Sequence, residues 1–216
     1  MNARKISDST VRRLSRYLRQ LRDLDLHERK VVSSRELAEA TGTTAAQVRK
    51  DLSHFGSFGK RGQGYPVSDL RVQLEGILGL THRWNVAVVG VGKIGSALLG
   101  YGYFAQRGFD IVAAYDADPA KTGLDFGGVR VQPLAALERG FADLEISIGI
   151  IATPPEAAQE AATRVVRAGA SAILNFAPVK LDLPPGVALR TMDMTLELEG
   201  LCYMVTAARA GGEEGR

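Results

Sequence analysis

The N-terminal part of the chain places apolar residues three or four positions apart, which is the period of an α-helix. These apolar positions are Val11, Leu14, Leu18 and Leu21. The other faces of the same segment carry arginine, at Arg12, Arg13, Arg16, Arg19 and Arg22. The pattern predicts an amphipathic helix with a cationic outer surface. For one helix alone, a solvated basic face explains such charges at least as well as a binding surface does.

Two short segments that follow carry helix-capping motifs. Ser33 precedes Glu36 by three residues, and Thr44 precedes Gln47 by the same spacing, as in a capping box. Gly42 lies between the two motifs and is suited to end the first helix. The sequence therefore predicts two short helices joined by a tight turn, which is the helix-turn-helix layout.

We place these helices at about 34–40 and 45–54, within a helix-turn-helix module that spans about 17–56. The second helix of such a module enters the DNA major groove with its N-terminal part. Val48 and Leu52 are spaced to face the core. Arg can bind guanine through two hydrogen bonds, and Lys or Ser can contact bases or phosphates. The residues left for the groove are Gln47, Arg49, Lys50 and Ser53.

Four glycines lie between positions 56 and 64, with Lys60 and Arg61 among them. This composition predicts a tight hairpin over about 56–66, and a hairpin after a recognition helix is a wing whose basic tip suits the narrow minor groove. The rival interpretation is a phosphate-cradling loop, but the Gly-Lys-Ser/Thr end of a P-loop is missing. A further helix at about 67–80 is expected to connect the two halves. The predicted DNA contacts here are Lys60, Arg61, Gly62, Gly64 and Tyr65.

The apolar run at 85–90 is typical of a buried parallel strand, and it leads directly into a Gly-x-Gly-x-x-Gly motif and a helix start. The strand before the motif and the helix after it make the motif more specific than it is alone. Gly90 permits the turn, Gly92 admits a pyrophosphate and Gly95 lets the helix pack on the strand. A glycine turn in an unliganded α/β domain is the alternative. The predicted dinucleotide contacts are Gly90, Val91, Gly92, Lys93, Ile94 and Gly95.

Asp116 ends the second predicted strand, 110–115, and lies 21 residues beyond Gly95. This is close to the position expected for the acid that binds the adenosine ribose. A carboxylate there accepts hydrogen bonds from the ribose hydroxyls and repels a 2′-phosphate. The sequence therefore favours NAD(H) over NADP(H).

Strands and helices keep alternating to about residue 190, which predicts a Rossmann-like, doubly wound parallel sheet over 81–192. The later elements are strands at 128–131, 146–152, 171–174 and 187–190, a helix at 134–139 and a helix that ends at Ala168. Ligands of such sheets bind beyond the C-terminal ends of the strands. Two strand ends are therefore candidates for the nicotinamide side: Thr153 and Pro154, and Asn175, Phe176, Ala177 and Pro178.

The last predicted helix, from Asp193 to about Arg209, is apolar almost all round. Such a helix is normally buried, and near the end of the chain it can instead pack into a partner subunit. The segment 193–216 is therefore expected to be a dimerisation helix and tail. Cys202, within it, is expected to be a small buried apolar residue rather than a redox thiol.

The formal net charge of +3 hides an asymmetry between the two halves. Residues 1–84 hold 16 Lys and Arg against 9 Asp and Glu, a net charge of +7. Residues 85–216 hold 11 against 15, a net charge of −4. A basic half joined to an acidic half predicts two domains, with 1–80 as a winged-helix domain that faces a polyanion.

Composition excludes several classes of protein. The 216 residues include one cysteine, so neither an intrachain disulfide framework nor a cysteine-based zinc site is expected, and we predict no metal. No apolar run is long enough to cross a bilayer. The N-terminus lacks the apolar stretch of a secretory signal, so the cytoplasm is the expected location.

Catalysis is not expected, although a nicotinamide fold suggests a dehydrogenase. Hydride transfer to a carbonyl usually needs a general acid such as His, or a Tyr-Lys pair. The three histidines, His27, His54 and His82, all precede the first strand of the predicted nucleotide domain, and no Tyr-x-x-x-Lys occurs. We expect a domain that binds the dinucleotide without consuming it.

In chain order the sequence shows a winged helix, Gly-Val-Gly-Lys-Ile-Gly, Tyr-Asp-Ala-Asp, Ile-Ala-Thr-Pro and Asn-Phe-Ala-Pro. This order resembles the Rex family of bacterial redox-sensing transcriptional repressors, from about Val11 to Val205. The segments most specific to that family are 47–53, 61–65 and 175–178.

The resemblance implies a homodimer with C-terminal helices swapped between subunits, which binds operator DNA in the oxidised state and is released by NADH. It also implies a switch formed by Arg19, Tyr101 and Asp193, in which the carboxylate pairs with the tyrosine across the dimer in the NADH form and with the arginine in the DNA form. Met194 departs from the larger aromatic residue of some relatives near the nicotinamide. An NAD-dependent enzyme with a fused basic domain, and a CoA-binding regulator, are the alternatives.

Overall fold

The computed structural model describes residues 6–56, 58 and 63–213. The chain forms two compact units, Met1–His82 and Arg83–Arg216. Among the described residues, the first unit contains one cluster of buried apolar side chains and the second unit contains two.

The first unit is mostly helical, with one pair of very short strands. A long helix and a strand come first, followed by two short helices, the second strand and a last helix. In chain order these are α1 (Asp8–Leu26), β1 (Val31–Val32), α2 (Ser34–Thr41), α3 (Ala45–Ser53), β2 (Tyr65–Pro66) and α4 (Val67–Ile77). The four predicted helices of this unit are confirmed, whereas the strand β1, which pairs with β2 at the end of the predicted hairpin segment, was not predicted.

The core of the first unit is built from one apolar face of each helix. Leu14, Leu18 and Leu21 of α1 are buried, as the helical period predicts. Leu70 and Leu74 of α4 are buried in the same cluster, so α4 is part of this unit's core rather than a bare connection between the halves. The helix α4 ends at Ile77, three residues before the predicted end.

The second unit is a seven-stranded sheet with helices between its strands. The strands are β3 (Trp84–Val89), β4 (Phe109–Asp116), β5 (Asp125–Phe126), β6 (Val129–Pro133), β7 (Ile148–Ile151), β8 (Ala172–Asn175) and β9 (Ala188–Thr191). The helices are α5 (Lys93–Leu99), α6 (Tyr103–Gln106), α7 (Leu137–Asp143), α8 (Pro155–Arg167) and α9 (Met194–Glu213).

The strand order is β5-β6-β4-β3-β7-β8-β9, and every neighbouring pair except β5 with β6 is parallel. The six parallel strands therefore have the order 3-2-1-4-5-6 of a doubly wound dinucleotide-binding sheet. The predicted mixed α/β architecture, with a helical N-terminal domain and a Rossmann-like sheet, is confirmed.

The register of this sheet aligns the strand ends that matter for ligand binding. Val89 pairs with Tyr115 on one side and with Ile151 on the other, and Ile151 pairs with Asn175. The C-terminal ends of β4, β3, β7 and β8 therefore form one row. The loops that leave this row carry the predicted nucleotide contacts.

Two details of the sheet domain differ from prediction. The helix expected at 134–139 is a 3-10 turn, Leu134–Ala136, followed by α7. The strand β5 was not predicted, because its two residues are too few to produce a hydrophobic period in the sequence. It pairs antiparallel with β6 at the edge of the sheet.

The helix α9 exposes its apolar side chains in the single chain. Leu198 and Leu201 are exposed, and Tyr203 is 76% exposed. The helix is therefore not buried within its own chain, and its packing into a partner subunit stays a prediction. Cys202 is also exposed, contrary to the prediction of a buried cysteine.

Within the described ranges, no helix combines the length and hydropathy that a membrane span requires. The same residues contain no group of His, Cys, Asp and Glu side chains arranged to hold a metal ion.

Candidate DNA-binding and dinucleotide sites

The helix-turn-helix of the first unit is fixed by local hydrogen bonds. The capping box of α2 is complete: Glu36 N donates to Ser33 Oγ at 3.1 Å, and Ser33 N donates to Glu36 Oε2 at 2.7 Å. Gly42 ends α2 in the left-handed region, with φ of 66°. Thr44 caps α3 by accepting from Gln47 N at 3.1 Å. Sequence spacing therefore located both helix starts correctly.

The second predicted capping box is only half formed. The Gln47 side chain donates from Nε2 to Asp51 Oδ1 at 2.7 Å, one turn further along α3, instead of turning back to Thr44. Gln47 is half-buried. A Gln–Asp pair four residues apart is a favourable helix contact, and here the acid belongs to a larger buried cluster.

Asp51 lies at the centre of that cluster and is 1% exposed. Its carboxylate accepts two hydrogen bonds from Arg13, from Nε at 2.6 Å and from Nη2 at 2.8 Å. Tyr17 donates its hydroxyl at 3.0 Å. Because Arg13 and Tyr17 belong to α1, the carboxylate joins the predicted recognition helix to the first helix of the unit.

The cluster keeps Asp51 ionised. Burial alone would raise the pKa of this carboxyl, but the hydrogen bonds from Arg13, Gln47 and Tyr17 outweigh it and hold the pKa below its ordinary value. Burial, together with the hydrogen bond to Asp51, raises the pKa of Tyr17 to about 12. No motif in the sequence indicated a role for Asp51. Its position three residues after Val48, on the buried face of α3, was the available signal.

The other predicted groove contacts lie on the outer face of α3. Arg49, Lys50 and Ser53 are all exposed. Arg49 donates from Nη1 to Ser34 Oγ at 3.0 Å, and Ser53 Oγ donates to the Lys50 carbonyl at 2.8 Å. The cations of Arg49 and Lys50 have no carboxylate partner among the described residues. They are therefore available to a polyanion.

The base of the predicted wing is an antiparallel strand pair. Val31 pairs with Pro66 and Val32 with Tyr65. Gly64 has φ of 78°, and a Cβ there would lie 2.7 Å from the Val32 carbonyl oxygen, so the strand pairing requires glycine. The predicted tip residues Lys60, Arg61 and Gly62 lie outside the described residues.

The glycines of the dinucleotide motif have different local surroundings. A Cβ on Gly95 would lie 2.0 Å from the Gly90 carbonyl oxygen. A Cβ on Gly90 would lie 2.7 Å from the backbone of Ala152 and Thr153, and Gly90 has φ of 92°. A Cβ on Gly92 would meet nothing within 4 Å. Gly90 and Gly95 are therefore required by the fold, whereas the space above Gly92 is open to a ligand.

Asp116 is 8% exposed and already has three donors from its own chain. Val91 N donates to Oδ2 at 2.6 Å, Asp118 N donates to Oδ1 at 2.9 Å and Lys121 Nζ donates to Oδ2 at 3.0 Å. Burial would raise the pKa of this carboxyl, but these donors hold it below its ordinary value. Asp116 thus anchors the glycine loop to the end of β4. The contact with Lys121 was not anticipated from the sequence.

The two loops predicted for the nicotinamide side differ in their free polar groups. Asn175 is fully buried, and its side-chain amide forms hydrogen bonds within its own loop. Nδ2 donates to the carbonyls of Ala177 and Val179, and Oδ1 accepts from Ala177 N. Among the described residues, Thr153 Oγ1 is a buried hydroxyl without a hydrogen-bond partner. Its backbone adjoins Gly90.

These features fit a dinucleotide. Buried polar atoms are nearly always paired in proteins, so the orphan hydroxyl of Thr153 is suited to a ligand donor or acceptor. It lies beside the glycine turn, where the open space at Gly92 and the first amides of α5 can receive a pyrophosphate. Pro154, Phe176 and Pro178 follow the same strand ends.

The three residues of the predicted switch lie in different elements. Arg19 is exposed on α1 and lines a cleft of about 380 Å³ with Arg16, Gln20, Ala40 and Thr41. Tyr101 follows α5, is half exposed and packs edge-on against Phe104, with ring centroids 5.1 Å apart. Asp193 precedes α9 and accepts from Thr195 N at 2.9 Å.

A helix-turn-helix with a wing base, followed by a dinucleotide-type sheet, defines the class of nucleotide-responsive DNA-binding regulators. Two family models match the same two parts: "Putative DNA-binding protein N-terminus" over residues 5–53 and "CoA binding domain" over residues 81–179.

Similar proteins cover the whole architecture. The redox-sensing transcriptional repressor Rex of Streptomyces griseus is 48% identical over 201 residues, which span 93% of this chain and 79% of that protein. The Rex protein of Desulfitobacterium hafniense is 46% identical over 97% of this chain and all of its own length. The chain belongs to the Rex family.

Solved structures agree with this assignment. The chain is similar to RSP, a Rex-family repressor. The structure of RSP with β-NAD+ and operator DNA has a TM-score of 0.89 and 38% identity, and covers 96% of each chain. The structure of RSP with β-NADH has a TM-score of 0.86 and 36% identity, and covers 97% of this chain and 98% of that one.

Proposed function

We propose that this protein is a transcriptional repressor that binds operator DNA and is released from it when NADH binds the sheet domain. One observation carries the proposal. This chain of the Rex family contains both an exposed basic recognition helix and a glycine loop with an open ligand face. NAD+ and NADH are the ligands of RSP in its two complexes, and the residues described above fit them.

DNA binding rests on α3 and the wing. In our proposal Gln47, Arg49, Lys50 and Ser53 contact the major groove, while Lys60 and Arg61 contact the minor groove with Gly62, Gly64 and Tyr65 shaping the wing. The net charge of +7 on residues 1–84 supports this assignment, because phosphate neutralisation supplies a large share of the affinity for DNA.

Nucleotide binding rests on the row of strand ends. In our proposal the loop of Gly90 to Gly95 holds the pyrophosphate through backbone amides, and Asp116 holds the adenosine ribose through its remaining acceptor capacity. Thr153 and Pro154, with Phe176, Ala177 and Pro178, enclose the nicotinamide, and Asn175 shapes their loop. The bound nicotinamide is cationic when oxidised and neutral when reduced. An apolar pocket favours the neutral form, which gives the site a basis for distinguishing the two.

The protein acts, in our proposal, without turning over its nucleotide, and in the cytoplasm. The relatives of the Rex family are repressors by name. The histidines His27, His54 and His82 belong to the first unit, which carries no part of the nucleotide loop. An NAD-dependent enzyme remains the alternative, and consumption of NADH with a carbonyl compound would support it.

Coupling between the two sites requires a dimer. DNA-binding dimers place two recognition helices in successive major grooves, so a change in dimer geometry alters operator affinity. We propose that α9 is exchanged between subunits, and that Asp193 pairs with Tyr101 in the NADH form and with Arg19 in the DNA form. The exposed apolar side chains of α9 support this, because a helix apolar all round is normally buried.

We expect the chain to behave as a dimer whose stability depends on α9. Introducing a charge at Leu198 (L198E) places a carboxylate in the proposed interface and should shift the molecular mass measured by light scattering towards the 23.2 kDa monomer. The matched control is L26E, because Leu26 is an exposed leucine at the end of α1. A monomeric parent protein, or an L198E protein as dimeric as its parent, would contradict the proposal.

The function is tested by a mobility-shift assay on DNA from the region upstream of the chain's own coding sequence. With NAD+ we expect a retarded complex, and with NADH at the same concentration we expect release. Coupling free energies between sites are typically about 1–3 kcal/mol, so the dissociation constant should rise by roughly 5- to 150-fold. Equal retardation with both nucleotides would refute an NADH-responsive repressor.

A further inference from the structure

The side-chain amide of Gln47 is held in one orientation by a buried carboxylate. Gln47 Nε2 donates to Asp51 Oδ1 at 2.7 Å. An ionised carboxylate only accepts hydrogen bonds, so the amide nitrogen must face it. Turning the amide over would bring the Gln47 oxygen against the carboxylate oxygen. The contact therefore determines which edge of the amide faces outward.

The carboxylate of Asp51 is itself unable to turn away. Its two oxygens are bound by Nε and Nη2 of Arg13, and Tyr17 donates to Oδ2. Its neighbours on the same face of α3, Val48 and Leu52, are buried in the core. The orientation of Gln47 is thus set by packing between α1 and α3, before any ligand arrives.

This orientation presents a specific pattern of one hydrogen-bond acceptor and one donor to the edge of a base. The outward part of the amide carries Oε1 as an acceptor and one remaining N–H as a donor. Adenine presents the complementary pair in the major groove, the N6 donor and the N7 acceptor. Guanine presents two acceptors, N7 and O6, and its O6 would oppose Oε1.

Gln47 also lies where a base contact is expected. It is the third residue of α3, which begins directly after the Thr44 cap, and the N-terminal residues of a recognition helix contact base edges. We propose that Gln47 contacts an adenine through two hydrogen bonds, and that Asp51 is the positioning residue that selects adenine over guanine at that base pair. The inference rests on the proposed function, because it assumes that α3 enters the major groove.

The test begins with a duplex recovered from random-sequence DNA by selection with the full-length protein and NAD+. Dissociation constants are then measured for this duplex and for all single base-pair variants. One A·T pair in each half-site should be preferred over G·C by roughly 5- to 150-fold, the range measured for two-hydrogen-bond contacts. With Q47A the preference at that pair should fall to about threefold or less, with the other positions unchanged.

Substitution at Asp51 tests whether this residue orients the Gln47 amide or only stabilises the fold. In D51N the neighbour of Gln47 can donate as well as accept, so the amide is free to turn over, and the preference at the same pair should collapse as in Q47A. The control is Y17F, which removes one donor to Asp51 but keeps its contact with Gln47, and should retain the preference. Because each preference is a ratio within one variant, a lower folded fraction cancels from it.

The outcomes distinguish a failure of the Gln47 and Asp51 assignment from a failure of the proposed repressor function. If no duplex is selected, or if the selected duplex ignores NADH, the repressor function itself is wrong. If a duplex is selected and responds to NADH, but Q47A weakens all base-pair variants equally, the base contact is wrong. If Q47A acts at one pair and D51N retains full preference there, the positioning role of Asp51 is wrong.

Discussion

Replacing Gly92 by alanine should weaken NADH binding while leaving the thermal stability of the protein unchanged. A Cβ at this position meets nothing within 4 Å in the protein, and the backbone φ of −85° suits alanine. The methyl group would instead occupy the space proposed for the pyrophosphate. Overpacking of this kind costs about 1–3 kcal/mol, which corresponds to roughly 5- to 150-fold in the dissociation constant.

Gly95 provides the contrasting case within the same motif. Here a Cβ would lie 2.0 Å from the backbone oxygen of Gly90, so the helix α5 must move away from β3. We expect G95A to lower the free energy of unfolding of the sheet domain by about 1–3 kcal/mol or more, and to lose NADH binding through the fold.

Calorimetric titration with NADH and thermal unfolding, measured on both variants, separate the two roles. The matched control is G76A on α4, where an exposed helical glycine has open space and alanine should raise stability slightly. If G92A unfolds as early as G95A, or binds NADH like the parent, the assignment of the open face to the ligand is wrong.

Replacing Arg13 by methionine should cause the largest loss of stability in the DNA-binding unit. The change leaves the Asp51 carboxylate, which is 1% exposed, with only Tyr17 and Gln47 as donors. Removing one partner of a buried ion pair typically costs about 3–5 kcal/mol. The double variant R13M/D51L removes both charges and should recover most of this loss, because a well-packed apolar replacement is often neutral.

Urea unfolding followed by circular dichroism measures this effect. Trp84, the single tryptophan of the chain, belongs to the sheet domain. Its fluorescence therefore reports the unfolding of the sheet domain and distinguishes it from the unfolding of the DNA-binding unit. An R13M protein as stable as its parent, or a double variant no more stable than R13M, would show that the cluster does not stabilise this unit.

The same pair predicts the sign of a pH effect. The folded-state pKa of Asp51 lies below its ordinary value, so its contribution is complete above the unfolded value of about 3.9 and is lost as the pH falls through the lower folded value. The stability that Asp51 contributes to the parent protein should therefore be constant near neutral pH and be lost only in acid, which urea unfolding at a series of pH values measures.

Local sequence signals were sufficient for most of the fold. Capping residues such as Ser33 and Thr44 act within one turn, so their spacing located the starts of α2 and α3. The strand–glycine–helix order around Gly90 likewise predicted the sheet domain and its parallel, doubly wound arrangement, because that topology follows from a regular alternation of elements.

Contacts between distant parts of the chain could not be predicted in this way. Asp51 meets Arg13 across 38 positions, and only the packing of α1 against α3 brings them together. The same contact diverted Gln47 from its predicted capping role. Lys121 was missed because a turn after β4 returns it to Asp116.

The terminal helix shows the limit of reasoning from hydrophobic pattern alone. An apolar helix must be covered, but the pattern around Leu198 and Tyr203 does not say by which chain. The exposure of both side chains in the single chain favours a second subunit, which is why α9 carries the proposal for a dimer.

We propose that nucleotide and operator affect each other's binding through one equilibrium. Thermodynamic linkage requires reciprocity, so operator DNA must weaken NADH binding by the same factor by which NADH weakens operator binding. The most direct measurement is a titration of NADH into the full-length protein, alone and with saturating operator duplex. We predict a dissociation constant for NADH that is higher with operator by that factor, roughly 5- to 150-fold. Equal dissociation constants in the two titrations would contradict the account.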